Sequence, residues 1–248
     1  MKILVCISHV PDTTSKIAFK NDDKEFDDAG VTFVINPYDE FGLTKAMHIK
    51  ETMGASITVL NVGPSSTEPT LRKALAIGAD DAIRINTEPT DAAYVAKLIA
   101  EHATNQNYDL IITGRESIDY NGGAVPGMLA AHLNLAFVNA CIGLELNESN
   151  ATLTREIDGG KETLQGQLPL LIAGQKGLVE EKDLRIPAMR GIMMARKKPL
   201  TVIEASEIEK QTEIVKHQHP AQKSACTMIG SDEVERLVEL LHTEAKVI

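Results

Sequence analysis

An alternation running through roughly the first half of the chain constrains its fold more than any other feature. Ile3–Ile7, Phe33–Ile35, Ile57–Val62, Ala82–Ile85 and Leu110–Thr113 are short apolar runs of strand length. Between them apolar residues recur three or four positions apart: Leu43, Ala46 and Met47, then Leu71, Ala74 and Leu75, then Ala92, Val95, Ala96, Ile99 and Ala103. Each set draws one apolar face along a helix. Strands of this kind need cover on both faces, and amphipathic helices between successive strands supply it. The pattern therefore predicts a parallel sheet joined by right-handed crossovers. The fold class is α/β, an open doubly wound sheet, and such sheets bind ligands beyond the carboxyl ends of their strands.

Elsewhere the pattern changes. Asn21–Asp28 carries five carboxylates in eight residues, which cannot be buried together, so it reads as an exposed hairpin or loop. From Leu144 to Ala173 the signal is β. Leu153–Ala173 reads as an alternating strand, an Asp158-Gly159-Gly160 turn, a second strand, and a strand opened by Pro169 that returns to the main sheet. Beyond Gly174 the chain reads as loop; Lys176–Lys198 holds seven basic residues against three acidic ones. Gln211–Ile229 has no periodicity, and a helix opens at Ser231 or Asp232 with Val234, Leu237, Val238 and Leu241 on one face. This divides the chain into an α/β nucleotide-binding domain, residues 1–210, and a C-terminal arm and helix, residues 211–248. The arm packs on another subunit or back on the first domain.

A formal charge of −10 argues against general nucleic-acid binding, which needs a basic surface to displace counterions. Cys6, Cys141 and Cys226 are far apart and form no CxxC pair, so they propose neither a disulfide framework nor a zinc or iron–sulfur site. The apolar start MKILVCISHVPD is too short for a secretory signal and ends in proline and aspartate; it reads as a first buried strand. No segment has the length of a membrane span. Together these predict a soluble, cytoplasmic protein with no direct membrane insertion.

Catalytic signatures are not found. The seven histidines are scattered, and His217-Gln-His219 reads as a solvated loop before it reads as a metal chelate. HExxH, GxSxG, a GxGxxG after the first strand and GxxxxGK[ST] are missing from the sequence. Asp22/Asp23 and Asp80/Asp81 read as solvated turns. The best site-like segment is Gly114–Pro126, leading into Gly127–Ala131. It follows an apolar strand, contains the turn Asn121-Gly122-Gly123, and opens a helix near Pro126. Free N–H groups at such a helix start, with glycines beside them, suit a phosphate, although the residues alone read first as a plain strand–turn–helix connection.

Several motifs, in order along more than 190 residues, resemble the electron-transfer flavoprotein β subunit. They are VCISHVPD (Val5–Asp12), NPYDE (Asn36–Glu40), LRKALAIGADDA (Leu71–Ala82), GRESID (Gly114–Asp119), LTREIDGGKETLQGQLPLLIA (Leu153–Ala173) and IMMARKKPL (Ile192–Leu200). The resemblance implies a sheet of the adenine-nucleotide α-hydrolase-like type and a nucleotide, AMP, held by this chain. It places Cys6, Asn36, Pro37, Tyr38, Asp39 and Val62 at the AMP, with Cys6 and Val62 giving backbone groups and shape and Asn36 bonding adenine or ribose. It adds Asp119, Tyr120, Asn121, Gly122, Gly123, Ala124, Val125, Pro126, Gly127, Met128, Leu129 and Ala130 around the phosphate. Ala124 stands where the family commonly has Gln, and Pro126-Gly127 replaces a more usual small pair.

The resemblance also implies a heterodimer with an α subunit that carries the FAD. Asp12, Thr13 and Tyr38 would lie near that flavin, with Thr13 standing where an aromatic is frequent. Acyl-CoA dehydrogenases and an electron-transfer flavoprotein–quinone oxidoreductase are the implied redox partners. Residues 176–198 resemble the family's recognition loop, with Met189 as the apolar anchor where Leu is usual; the alternative is a Met189 tucked into the core. The implied function is an electron carrier without catalytic side chains, serving fatty acid oxidation and the respiratory chain. The alternatives are a bifurcating or FixA-type β subunit with a second FAD, a stand-alone adenine-nucleotide module of universal-stress-protein type, and a small-molecule enzyme.

Overall fold

A computed structural model describes residues 1–223 and 225–248. In chain order the elements are β1 (Lys2–Cys6), β2 (His9–Pro11), β3 (Phe19–Lys20), β4 (Glu25–Phe26), β5 (Phe33–Ile35), α1 (Pro37–Met53), β6 (Ser56–Val62), α2 (Glu68–Ile77), β7 (Asp81–Asn86) and α3 (Ala92–Ala103). They continue with β8 (Leu110–Gly114), α4 (Ala124–Leu133), β9 (Ala136–Asn147), β10 (Asn150–Ile157), β11 (Gly160–Gln167) and β12 (Leu170–Gly174). The last are α5 (Met189–Ala195), β13 (Leu200–Glu204) and α6 (Val234–Thr243).

Nine strands form one sheet in the order β11-β10-β9-β12-β8-β1-β6-β7-β13. From β9 to β13 every neighbouring pair is parallel, and β10 and β11 extend the β9 edge antiparallel. The doubly wound α/β reading therefore holds. Successive residues of β1 point to opposite faces. Ile3 and Val5 join Leu43 of α1, Leu71 and Leu75 of α2 and Ala195 of α5 in one core. Leu4 and Cys6 join Leu98 and Ile99 of α3 and Leu129 of α4 in the other. Helix ends follow their local chemistry. Pro37 sits in the first turn of α1, Asp39 and Glu40 follow at its positive end, and Gly54 (φ 72°) returns its N–H to Lys50 O. Asp91 caps α3, accepting from Tyr94 N at 2.7 Å.

The winding has a reversal. From β1 the chain steps outward to β6 and β7, then crosses back through α3 to place β8 on the other side of β1. In open α/β sheets the ligand crevice lies at such a boundary, beyond the strand ends.

Four expectations are corrected. Phe33–Ile35 is not in the main sheet; it pairs antiparallel with β2, because it is three residues long and passes straight into α1. The β excursion starts at Ala136, since β9 runs parallel to β12 in its first half and pairs with β10 in its second. Ala140, at φ 51°, marks the irregularity where it changes partner. The stretch after Gly174 is not all loop, for α5 and the edge strand β13 lie within it. Asp80 is more than a solvated turn residue: it accepts from Ile57 N at 2.8 Å and pairs with Lys50.

Candidate functional site

The reversal point is assembled around two side chains of the NPYDE segment. Asn36 and Asp39 are 1% and 2% exposed, an unusual depth for polar groups unless every bond is made. Asn36 Nδ2 donates to Glu116 O at 2.9 Å, and its Oδ1 accepts from Ile118 N at 3.3 Å. Asp39 Oδ2 accepts from Ser8 N at 2.7 Å and Oδ1 from Gly114 N at 2.8 Å. The first turn of α1 thus holds the loop after β1 and the loop after β8 together. Gly114 is obligatory here, because a Cβ would lie 2.3 Å from Asp39 Oδ1. Burial pushes the Asp39 carboxyl up to about 7, against the pull of its hydrogen bonds. Burial, and after it the charge of Asp39, pushes the Cys6 thiol up as well, so Cys6 is a wall and not a nucleophile.

The other predicted residues fall into four groups. Cys6 and Val62 are buried at the ends of β1 and β6. Asp119–Ala124 forms an exposed rim, closed on itself by Ser117 N to Gly122 O at 3.2 Å, with Asn121 at φ 48°. Helix α4 starts at Ala124 after Gly123, and no side chain caps it, so its first N–H groups point to the rim without a side-chain partner. Pro126, Leu129 and Ala130 are buried, and the last two belong to the core under α4 together with Cys6 and Val62. Pro37 and Tyr38 are half-buried on α1, and Tyr38 lies 5.2 Å beneath the Arg115 guanidinium.

Sequence reasoning gave no role to Ser8, Arg115 or Glu156, which lie within segments it singled out, and passed over Gln175. Arg115 Nη1 donates to Gln175 Oε1 at 2.8 Å, and Gln175 Nε2 donates to Glu156, which joins the turn end of the DGG hairpin to the loop after β8. Nothing in local pattern announces this, because the three residues meet only through sheet order.

Away from the crevice, Asp12 holds Thr14 N and Oγ1 at 2.9 and 2.6 Å, and Thr13 is exposed at the tip of that turn. Met189 is 76% exposed at the start of α5, beside exposed Ile186 and Met193, which overturns the core alternative. The backbone of α5 packs on α2: a Cβ at Gly191 would meet Ala76 O at 2.3 Å, and Arg72 Nη1 caps Ala195 O and Lys198 O, each at 2.8 Å. Among the described residues no three metal-ligating side chains cluster, and the His217 and His219 rings lie on Phe19. No helix among the described residues is long and apolar enough to cross a membrane.

Comparison with known proteins now decides the family. Residues 24–208 match the model of the electron transfer flavoprotein domain. The chain is 33% identical over 262 residues to the electron transfer flavoprotein subunit beta of Bacillus subtilis (strain 168), with 100% of both chains covered. It is 34% identical over 253 residues to that of Syntrophomonas wolfei, covering 100% of this chain and 98% of the relative. Against the mitochondrial subunit of Oryza sativa subsp. japonica it is 31% identical over 258 residues, with 100% of both covered. The chain belongs to the electron transfer flavoprotein β-subunit family. The match spans the two covered cores, the DGG hairpin and the C-terminal arm alike, so the arm is part of what these relatives share in length.

Proposed function

We propose that the chain is the β subunit of a heterodimeric electron-transfer flavoprotein. It holds AMP in the crevice at the β1/β8 reversal, and the α subunit carries the FAD. The observation that carries this reading is the crevice itself: a reversal point whose walls are fixed by Asn36 and Asp39 and whose rim ends in the uncapped start of α4. The residues fit a nucleotide monophosphate. Backbone donors and glycines at Gly122 and Gly123 suit an anionic phosphate, and Cys6 and Val62 give an apolar wall for a base. Ala124 brings no side-chain donor, so the phosphate is held by amides.

FAD, when bound in the complex, supplies the one- and two-electron chemistry. This chain contributes the exposed Asp12–Thr14 turn toward it and the apolar row of α5 toward dehydrogenases such as those acting on acyl-CoA. Electrons would leave toward a quinone oxidoreductase and the respiratory chain.

Co-expression with an α subunit and native mass spectrometry tests the reading. A one-to-one complex releasing one FAD and one AMP on denaturation is expected. Two FAD and no AMP would move the protein to the bifurcating branch, and a monomer indifferent to α subunits would overturn the heterodimer.

A further inference from the structure

The hydrogen-bonded register between β1 and β8 ends at Val5↔Ile112. Beyond it one segment runs on from the end of β1 to Ser8 and the other ends β8 at Gly114. Two side chains at the start of α1 span the gap: Asp39, with one oxygen on Ser8 N and one on Gly114 N, and Asn36, whose amide joins Glu116 O and Ile118 N. Asn36 N reinforces one side by donating to Ser8 O at 3.0 Å. Both Asp39 oxygens point into backbone, and the residue is 2% exposed, so no face of the carboxylate is left for a ligand.

We propose that Asp39 is a positioning residue for the nucleotide, a carboxylate bridge that sets the width of the crevice beyond the ends of β1 and β8, and that it does not touch the nucleotide. This rests on the AMP reading above. The bridge needs two acceptors. A protonated carboxyl keeps one and turns an O–H toward a backbone N–H, which opens one side. Proton uptake at Asp39, whose carboxyl sits at about 7, therefore loosens the nucleotide. The titratable and charged groups around it are Cys6 on β1, His9 beyond Ser8, Glu40 on α1, and Arg115, Glu116 and Asp119 after β8. Arg115 is paired with Glu116 at 2.9 Å and its other arm bonds Gln175, so it does not neutralise Asp39.

The experiment follows release of AMP from the desalted α–β complex at about pH 6 and about pH 8, for the wild type and Asp39→Asn. The variant should release AMP roughly tenfold or more faster at the higher pH, the scale of one lost bond to a charged acceptor. The wild-type rate should approach the variant's as pH falls. The AMP phosphate titrates near pH 6 in both proteins, so the ratio of the two rates is the readout. Gly114→Ala is the second variant: it keeps the carboxylate but drives a Cβ into it, and should also release AMP fast. AMP held by both variants as firmly as by the wild type, with a ratio near one across the window, would sink the inference and leave the AMP reading intact. A wild-type complex that contains no AMP would overturn both.

Discussion

The crevice at the β1/β8 reversal and the segment beyond Gly174 make opposite use of their side chains. In the crevice, Asn36 and Asp39 are buried and hydrogen-bonded to the loops on both sides, so this part of the site is built before any ligand arrives. Beyond Gly174, apolar residues are exposed: Ile186, Met189 and Met193 on the α5 side, Val234, Leu237 and Val238 on α6, none of whose residues is buried. A preformed polar site suits a small ligand kept for the life of the protein. An exposed apolar face on a well-anchored backbone suits partners that come and go, or a subunit that covers it for good. The anchoring separates α5 from α6. Arg72, Lys198 and Gly191 fix α5 to α2, whereas the arm before α6 is tied by Gln211 N and Thr212 N to Asp91 and by His217 N to Asp23 O.

The contrast can be broken most severely through pH. The Asp39 carboxyl ordinarily titrates near 3.8 and stands at about 7 in the folded chain, so between those values the fold keeps a proton that the unfolded chain has lost. Its contribution to stability is whole below pH ~4, falls as pH rises through about 7, and is flat above. The upper limit is roughly 4 kcal/mol. Denaturant unfolding of nucleotide-stripped protein should show this downward slope in the wild type and lose it in Asp39→Asn. Stability and nucleotide retention then run in opposite directions with pH, which a residue with a purely structural role would not produce.

Asn36→Ala comes next. It leaves Glu116 O and Ile118 N without partners, at a cost of about 1–3 kcal/mol for each buried group. Both the melting temperature and the AMP content of the complex should drop. A variant that melts lower but keeps its AMP would show that the loop after β8 does not govern the nucleotide.

Met189→Ala should reverse that pattern. Its exposure predicts a stability within about 0.5 kcal/mol of wild type, and so a nearly unchanged melting temperature. As a docking anchor it should raise the apparent KM for a reduced dehydrogenase about thirtyfold, the equivalent of about 2 kcal/mol. Unchanged transfer kinetics would remove Met189 from the docking surface.

How much of this contrast the sequence carried depends on distance along the chain. The strands β1, β6, β7 and β8 and the faces of α1 to α3 were legible because their patterns are local. The strand β13 was not: Thr201 and Val202 are exposed on an edge, so Leu200–Glu204 has no apolar run to mark it. Helix α5 was masked by Pro187 before it and Gly191 within it, yet that glycine is what lets its backbone reach α2. In the crevice, the motifs at Asn36–Asp39 and Gly114–Gly123 were found separately. The tie between them, and the part of Ser8, needed the sheet order, because a carboxylate bridging two backbone amides leaves no mark on either segment.

Asp91→Ala has the smallest expected effect and probes the loosest joint. Asp91 caps α3 through Oδ1 and tethers the arm through Oδ2, which accepts from Gln211 N at 2.8 Å. Loss of a cap costs about 1 kcal/mol, a shift of roughly 2–4 °C in a chain of this size. Asp91→Asn keeps an acceptor for the cap and weakens the tether, so it should melt close to wild type. In both variants, proteolysis of the isolated chain should begin earlier within residues 211–233, because the segment between β13 and α6 loses its first anchor. If α6 is covered by the α subunit, complex formation should restore protection in both. Equal cleavage with and without the α subunit would place the covering surface elsewhere and leave the exposed face of α6 without that partner.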